Sequence, residues 1–399
     1  MMSCGFLEKL SMPSIGKCHN IATLRERAKS KLPAPMFHYI EGGSDDEWTL
    51  RRNTEAFDDY QLMPNYLCDV EHIDLSNRVL DTDMKLPFFL APTGMSRLFH
   101  HEKELAACRA AHEFGTLYSL STLSTTSLEE VAAATPSAKM FQIYILKDRE
   151  LTREFVQRCK VSGYSALCLT VDTPVAGNRE RDIVNGMTMP PRITPSNFFS
   201  YATSFEWLFN LLLNPDFKLA NVVHRVDALG KGAMGLVEYV NSQFDRTVTW
   251  DDVAWLAEQW DGPFVIKGLQ SPADAIKAVE VGATALMISN HGGRQLEGAP
   301  APVDCIASIR AAVGDQLELI VDGGIRRGTH IIKALACGAD ACSIGRPYLY
   351  GLAAGGQAGV EQSLRVLEAE LSRSMALLGV NSIADIKASH VLHRPLDHI

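Results

Sequence analysis

From Pro87 onward the chain alternates short apolar runs with longer amphipathic stretches. The apolar runs are Phe88–Ala91, Leu117–Leu120, Met140–Ile143, Ala166–Thr170, Phe264–Lys267, Ala285–Ser289, Glu318–Val321 and Ala341–Ile344. Each has strand length and is almost wholly apolar, which predicts strands buried on both faces. Segments such as EKELAACRAAHEFG, DRELTREFVQRCKVSG and SPADAIKAVEVG instead repeat apolar residues every three or four positions, the helix period. Eight such strands with helices between them predict an α/β fold, a parallel sheet closed into a (β/α)8 TIM barrel under a ring of helices. An open doubly wound sheet would place a G-x-G-x-x-G turn after its first strand, and none stands there. Gly282 and Gly338 each follow a helical stretch and precede a strand, the position of a helix-ending glycine.

Two regions depart from this rhythm. Residues 20–60 read as N-terminal capping helices: IATLRERAKSKL is amphipathic, Pro33 and Pro35 interrupt it, and Gly42-Gly43 breaks the next segment. Between the fourth and fifth strands lie about ninety residues where one helix would suffice, so a long insertion after strand 4 is expected. The whole of 1–399 is read as one barrel domain, with 1–30 as extension and first helix and 190–245 as the inserted segment facing the active site or a membrane.

Composition narrows the class. At 46% hydrophobic and 21% charged residues, the chain has apolar content for a sizeable core. A net charge of −9 gives no basic footprint, so no nucleic-acid partner is expected. The nine cysteines include no C-x-x-C pair and no His/Cys cluster at zinc spacing, so no metal is expected and the thiols are read as reduced. The first residues, MMSCGFLEKLSMP, lack the basic flank and apolar run of a signal peptide, and RPLDHI is not a peroxisomal tripeptide. The expected location is cytoplasmic.

In such barrels, chemistry collects at the C-terminal ends of the strands. Every candidate strand here ends in polar residues: Thr93, Ser121, Gln142 with Tyr144, Thr170 with Asp172, Lys267, Ser289 to Arg294, Asp322 to Arg326, and Gly345-Arg346. One such end is an ordinary solvent-facing cap; eight together point to a site. In SNHGGRQ (289–295), an imidazole, two glycines and a guanidinium fall within four residues. His291 suits a general base near neutral pH, Arg294 suits a carboxylate, and Asp172 could orient the imidazole from another strand. DGGIRRG and SIGRP end the last two strands, where Gly-rich loops commonly cradle phosphate; Arg346 and Arg326 would add charge. Lys267 requires an anionic partner, with a reduced flavin as one reading and a Schiff base as the competing one.

The motifs YIEGGSDDEWTLRRN, LAPTGM, FQIYILKDR, LTVDTPVAGNRERD, VIKG, SNHGGRQL, DGGIRRGTHIIKALACGA and IGRPYLYGLA span about Leu32 to Ser389. Through them the chain resembles the FMN-dependent L-2-hydroxy-acid dehydrogenase/oxidase family, which includes glycolate oxidase, mandelate dehydrogenase and the respiratory L-lactate dehydrogenases. The resemblance implies oxidation of a small L-2-hydroxy acid with FMN as cofactor. It implies His291 as base, supported by Asp172. Arg179 and Arg294 would grip the substrate carboxylate, with Tyr39 donating to it and Tyr144 reaching the reacting hydroxyl. It also implies flavin contacts at Ala91, Pro92, Thr93, Ser121, Gln142, Thr170, Lys267 and Ser289. Asp322 would meet the ribityl chain, and Gly324, Arg326, Gly345 and Arg346 the phosphate. A homotetramer is common in the family. The related FMN barrels that perform no net redox lack the SNHGGRQ pair.

Departures from the family pattern bear on specificity. Leu123 stands where glycolate oxidase has tryptophan, and Ala176 replaces a leucine, which argues against glycolate. Gly94 stands where many oxidases carry alanine, which tilts the acceptor away from oxygen. YSLSTLS, DRTVTWDDVAWL and the LNPDFKLANV insert look most like the respiratory enzymes, so L-lactate with a quinone acceptor is expected; mandelate and an oxygen-using oxidase are the alternatives. Finally, FFSYATSFEWLFNLLLNP (198–215), drawn as one helix, gathers Ser200, Thr203, Glu206, Asn210 and Asn214 into a narrow polar stripe. Its wide apolar face is expected to lie on the inner face of the cell membrane beside a quinone, although the stripe lacks Lys and Arg. Packing over the active site or between subunits is the alternative.

Overall fold

The computed structural model describes residues 14–187, 193–195, 197–214, 217–223 and 242–394. Among them, eight parallel strands close into a barrel: β1 (Phe88–Thr93), β2 (Tyr118–Ser121), β3 (Lys139–Ile143), β4 (Ala166–Thr170), β5 (Phe264–Lys267), β6 (Ala285–Ser289), β7 (Glu318–Asp322) and β8 (Ala341–Ile344). Each strand pairs with its sequence neighbours, and β8 returns to β1. All eight apolar runs are strands, with bounds shifted by at most two residues.

The strands are apolar throughout because both faces are covered. Phe89, Ala91, Met140, Cys168, Val265, Met287 and Ile320 fill the barrel interior. Their neighbours Phe88, Leu90, Phe141, Leu167, Ile266 and Val321 pack outward against the helices. The N-terminal end of the barrel is closed by a hairpin, Asn77–Val79 with Thr82–Met84, which delivers Val79, Leu80 and Met84 into the interior layer. The polar strand ends lie at the opposite, C-terminal mouth. Register aligns Asp322 with Ser289 on one side and Ser343 on the other.

The N-terminal helices are where the prolines and glycines place them. Helix Ile21–Lys31 starts at Asn20, whose side chain accepts from the Thr23 N–H at 2.7 Å, and stops before Pro33. Helix Ala34–Glu41 has Pro35 in its first turn and ends at Gly42. Its far end is tied to the mouth. Arg294 donates to the carbonyls of Tyr39 and Gly42, Arg346 donates to those of Ile40 and Gly42, and the Ser44 N–H donates to the Gly293 carbonyl.

The insertion differs from its expectation. The single helix drawn over 198–215 is two, Phe198–Ala202 and Phe205–Leu213, broken at Thr203-Ser204, where the Ser204 hydroxyl bonds back to the Ser200 carbonyl. The stripe divides: Thr203, Glu206 and Asn214 are exposed, while Ser200 and Asn210 are partly buried. The Ser200 Oγ accepts from the Ala34 N–H at 2.6 Å, Lys31 pairs with Glu206, and Arg97 donates to the carbonyls of Asn210 and Asn214. Trp207 also points inward and donates to the Leu98 carbonyl at 2.7 Å. Phe198, Phe199, Phe205, Phe209, Leu212 and Leu213 are exposed. Residues 1–13, Pro215 and much of 190–245 lie outside the described residues, and so do the expectations that fall on them. No helix among the described residues is long and apolar enough to cross a membrane.

Candidate active site

The C-terminal mouth brings most of the expected site residues to one cavity. Its walls carry Tyr39, Ala91, Pro92, Thr93, Lys267, His291, Arg294, Asp322, Gly324, Arg326, Gly345 and Arg346. Gly324 is required there: its φ is +75°, and a Cβ would lie 1.8 Å from the Asn53 carbonyl oxygen.

His291 follows β6 with φ +59°, a left-handed backbone that costs a non-glycine residue about 1–2 kcal/mol. Two bonds hold it there. Its N–H donates to Ser289 Oγ at 3.0 Å, and its ring Nδ1 lies 3.0 Å from Asp172 Oδ1. A strained residue fixed at both backbone and ring marks a functional position. Burial pushes the Asp172 carboxyl up, but the His291 ring and Lys267 outweigh it, so its pKa lies below the ordinary value. Asp172 Oδ2 is buried without a partner.

Beside this pair stand two cations. The Arg294 and Arg179 guanidiniums lie 4.9 and 5.4 Å from the centre of the Tyr39 ring. Burial, and then Arg179, push the Arg294 pKa down. The nearest carboxylate to Arg179 is Asp182, at 3.6 Å. Two neighbouring guanidiniums with so little counter-charge form a site suited to an anion.

The ends of β5 to β8 beneath these groups are internally satisfied. Lys267 Nζ lies 2.7 Å from Asp322 Oδ2 and donates to Ser289 Oγ at 2.8 Å. Ser289 Oγ donates to Asp322 Oδ2 at 2.7 Å, and Ser343 donates to Oδ1. Burial alone would lower the Lys267 pKa, but Asp322 raises it, so the lysine stays charged. The anionic partner that Lys267 required is therefore Asp322, rather than a flavin alone, and a charged lysine does not fit the Schiff-base reading. Arg346 is also bonded within the protein. Its guanidinium donates to the carbonyls of Ile40, Gly42 and Gly292 and braces the mouth. The corner formed by the Gly323–Arg326 loop and the helix starting at Arg346 offers an oxyanion Arg326 and backbone N–H groups.

Other expected residues stand elsewhere. Tyr144 and Thr170 line a neighbouring cavity with Val171, Phe244 and Trp250. Ser121 and Gln142 are buried in the barrel, where Ser121 Oγ donates to Gln142 Oε1 at 3.2 Å. Ala176 is exposed on the loop after β4. Three residues were missed. Ser343 sits inside β8, where one hydroxyl in the apolar ACSI was the available signal. Asn53, the last residue of the YIEGGSDDEWTLRRN motif and outside the barrel strands, exchanges hydrogen bonds with Asn290 beneath the Gly-rich loop. Tyr348 donates to the Ala91 carbonyl at 3.0 Å and shares a hydrogen bond with Thr93, bracing the wall where the resemblance places a flavin ring.

The FMN-dependent dehydrogenase family profile matches residues 28–393. The chain belongs to this family. Its relatives include the L-lactate oxidase of a Nostoc species, 44% identical over 95% of this chain and 99% of the relative. Glycolate oxidase 3 of Oryza sativa subsp. indica is 39% identical over 94% and 96%. Among solved structures, the monotopic membrane protein (S)-mandelate dehydrogenase superposes with a TM-score of 0.91 at 31% identity, covering 95% of this chain and all of that one. As a family member the chain is an FMN-dependent 2-hydroxy-acid oxidoreductase on a (β/α)8 barrel, and the mouth fits the cofactor: a glycine-lined corner with an arginine at one end, and a buried lysine beside the strand ends.

Proposed function

We propose that the protein oxidises L-lactate to pyruvate and passes the electrons to a quinone. The observation that carries the reading is the His291–Asp172 pair opening on the same cavity as Arg294, with Arg179 across Tyr39. Arg294 and Arg179 hold the substrate carboxylate, with Tyr39 between them. His291 Nε2, the ring nitrogen left open by the bond to Asp172, takes up a substrate proton. Asp172 holds the imidazole in place and stabilises it once protonated. Tyr144 approaches the hydroxyl from the neighbouring wall. Ala91 to Thr93 back the flavin ring, Ser121, Gln142, Thr170, Lys267 and Ser289 surround its polar edge, Asp322 meets the ribityl chain, and Gly324, Arg326, Gly345 and the Arg346 backbone receive the phosphate. When bound, FMN supplies the two-electron sink that turning a carbinol into a ketone requires.

The similarity to an L-lactate oxidase supports lactate as substrate. The acceptor reading is supported by Gly94, on which a Cβ would stand only 3.0 Å from the Leu123 carbonyl and 3.1 Å from its Cβ. A mandelate reading is favoured by one observation, the superposition on (S)-mandelate dehydrogenase. Anaerobic mixing with L-lactate, L-mandelate and glycolate, followed by air or a soluble quinone, decides among them. L-Lactate should bleach the flavin fastest, and quinone should restore it faster than air. Faster bleaching by L-mandelate would select the second reading, and faster recovery in air would make the enzyme an oxidase.

The outward faces of the helices Phe198–Ala202 and Phe205–Leu213 belong to the same reading. Six exposed large apolar side chains on two short helices make a patch suited to a lipid interface, which a membrane quinone requires. Replacing Phe199, Phe205, Leu212 and Leu213 with serine should move the enzyme from membrane to soluble fraction while turnover with a water-soluble dye survives. Dissociation of an oligomer instead would assign the patch to packing between copies.

A further inference from the structure

The loop after β1 carries Gly94 past the cavity wall, and the loop after β2 carries Leu123 against it. Beneath both lies Glu104, fully buried in the first turn of helix Lys103–Glu113. A carboxyl group in that position is costly unless its oxygens are met by donors. They are. The Ser96 N–H donates at 3.2 Å, the Thr125 N–H at 2.9 Å, and the Thr125 and Thr126 hydroxyls at 2.8 Å each. Every one of these donors is neutral, and they come only from the two loops.

The loops also meet directly. The Met95 N–H donates to the Leu123 carbonyl at 2.9 Å, and the Arg97 N–H donates to Thr125 Oγ1 at 3.1 Å. Met95 has φ +62°, a conformation that a non-glycine residue keeps only where its surroundings over-determine it. Glu104 is thus the buried clasp that presses a strained loop onto its neighbour where Gly94 touches Leu123.

We propose that Glu104 is a positioning residue for the oxidative half-reaction: by holding Gly94 against Leu123 it sets which oxidant can approach the flavin. The inference rests on the acceptor reading given above. An alanine at 94 would stand 3.0 Å from the Leu123 carbonyl, so the contact must give by a few tenths of an ångström, and Gly94→Ala and a loosened Glu104 displace the same contact. Both should favour oxygen over quinone.

The test uses the FMN-loaded enzyme with Glu104→Gln, Thr126→Val, Gly94→Ala and the Gly94→Ala/Thr126→Val double variant. Thr126→Val removes one donor at nearly constant volume, which keeps the test available if Glu104→Gln does not fold. Expected for Glu104→Gln and Thr126→Val are faster hydrogen exchange at the Ser96 and Thr125 amides and unchanged anaerobic bleaching by L-lactate. The ratio of oxygen to quinone reoxidation should rise about fivefold, the factor that one lost hydrogen bond supports. The double variant should exceed Gly94→Ala by less than the product of the single effects. Faster exchange with an unchanged ratio, while Gly94→Ala alone raises it, overturns the inference and leaves the acceptor reading standing. An unchanged ratio in Gly94→Ala overturns both. Equal slowing of bleaching and reoxidation reduces Glu104 to a merely structural role and also overturns the inference.

Discussion

On the β5–β8 side of the mouth, Lys267, Ser289, Asp322 and Ser343 direct their hydrogen-bonding capacity at one another. In the loops just beyond β4 and β6, Asp172 keeps one oxygen without a partner, the His291 side chain is 30% exposed, and Arg179 finds its carboxylate only at 3.6 Å. Both sets are charged and polar groups at or just beyond the ends of parallel strands. The difference is in what they leave undone. Buried polar groups in folded proteins are almost always paired, so a closed network reads as scaffold and an open one as a place for a ligand. In the proposed reading, the closed network holds the cofactor and the open groups handle the substrate.

The largest expected effect tests the open side. His291→Ala should retain bound yellow FMN and lose flavin reduction by L-lactate by about 10²–10⁴-fold, the usual contribution of a general base. Near-normal bleaching would remove His291 from the mechanism. Next comes the closed side, where Lys267→Met leaves Asp322 buried without its cation. Breaking one partner of a buried pair costs about 3–5 kcal/mol, so urea unfolding should show that loss together with weakened FMN retention. A variant of normal stability and FMN content would show that the network is not scaffold.

A smaller effect is expected of Arg179→Met. A charge-assisted bond of about 1.5–3 kcal/mol corresponds to weaker binding of substrate and oxalate by tenfold or more. FMN content should stay unchanged; its loss would move Arg179 to the cofactor side. The smallest effect concerns His330, beneath the closed side, with its ring nitrogen 3.3 Å from the Gly324 carbonyl and stacked on Phe57. Burial holds its pKa down to about 3. Because the folded value is depressed, the neutral ring's contribution is complete above the unfolded value of about 6.5 and is lost as pH falls toward 3, by about 1.4 kcal/mol per unit. Urea midpoints between pH 7 and 5 should therefore fall more steeply in the wild type than in His330→Phe. Equal slopes would contradict this.

The barrel was legible because its strands are buried on both faces and so stand out as apolar runs. The open groups were legible as well, since an imidazole and a guanidinium stand together in SNHGGRQ just beyond a strand end. What was hidden was pairing. Lys267 was marked as needing an anion, but its alignment with Asp322 depends on sheet register, which no local pattern carries. Glu104 reads as a solvent-facing position in an amphipathic helix, and only the fold brings two loops over it. The break at Thr203-Ser204 was missed because apolar periodicity continues across it. The inward turn of Trp207 follows from an indole N–H that found the Leu98 carbonyl.

The bonds from Arg346 to the carbonyls of Ile40 and Gly42 also bear on how the molecule is made. They join positions separated by some three hundred residues. During synthesis the helix that presents Tyr39 emerges early and waits for the last barrel strand and the arginine after it. At about 5–20 residues per second, that delay is on the order of a quarter of a minute to a minute. The catalytic mouth is therefore among the last parts of the chain to be completed, and a chain released before β8 would carry its proposed base and both clamp arginines with no finished pocket to serve.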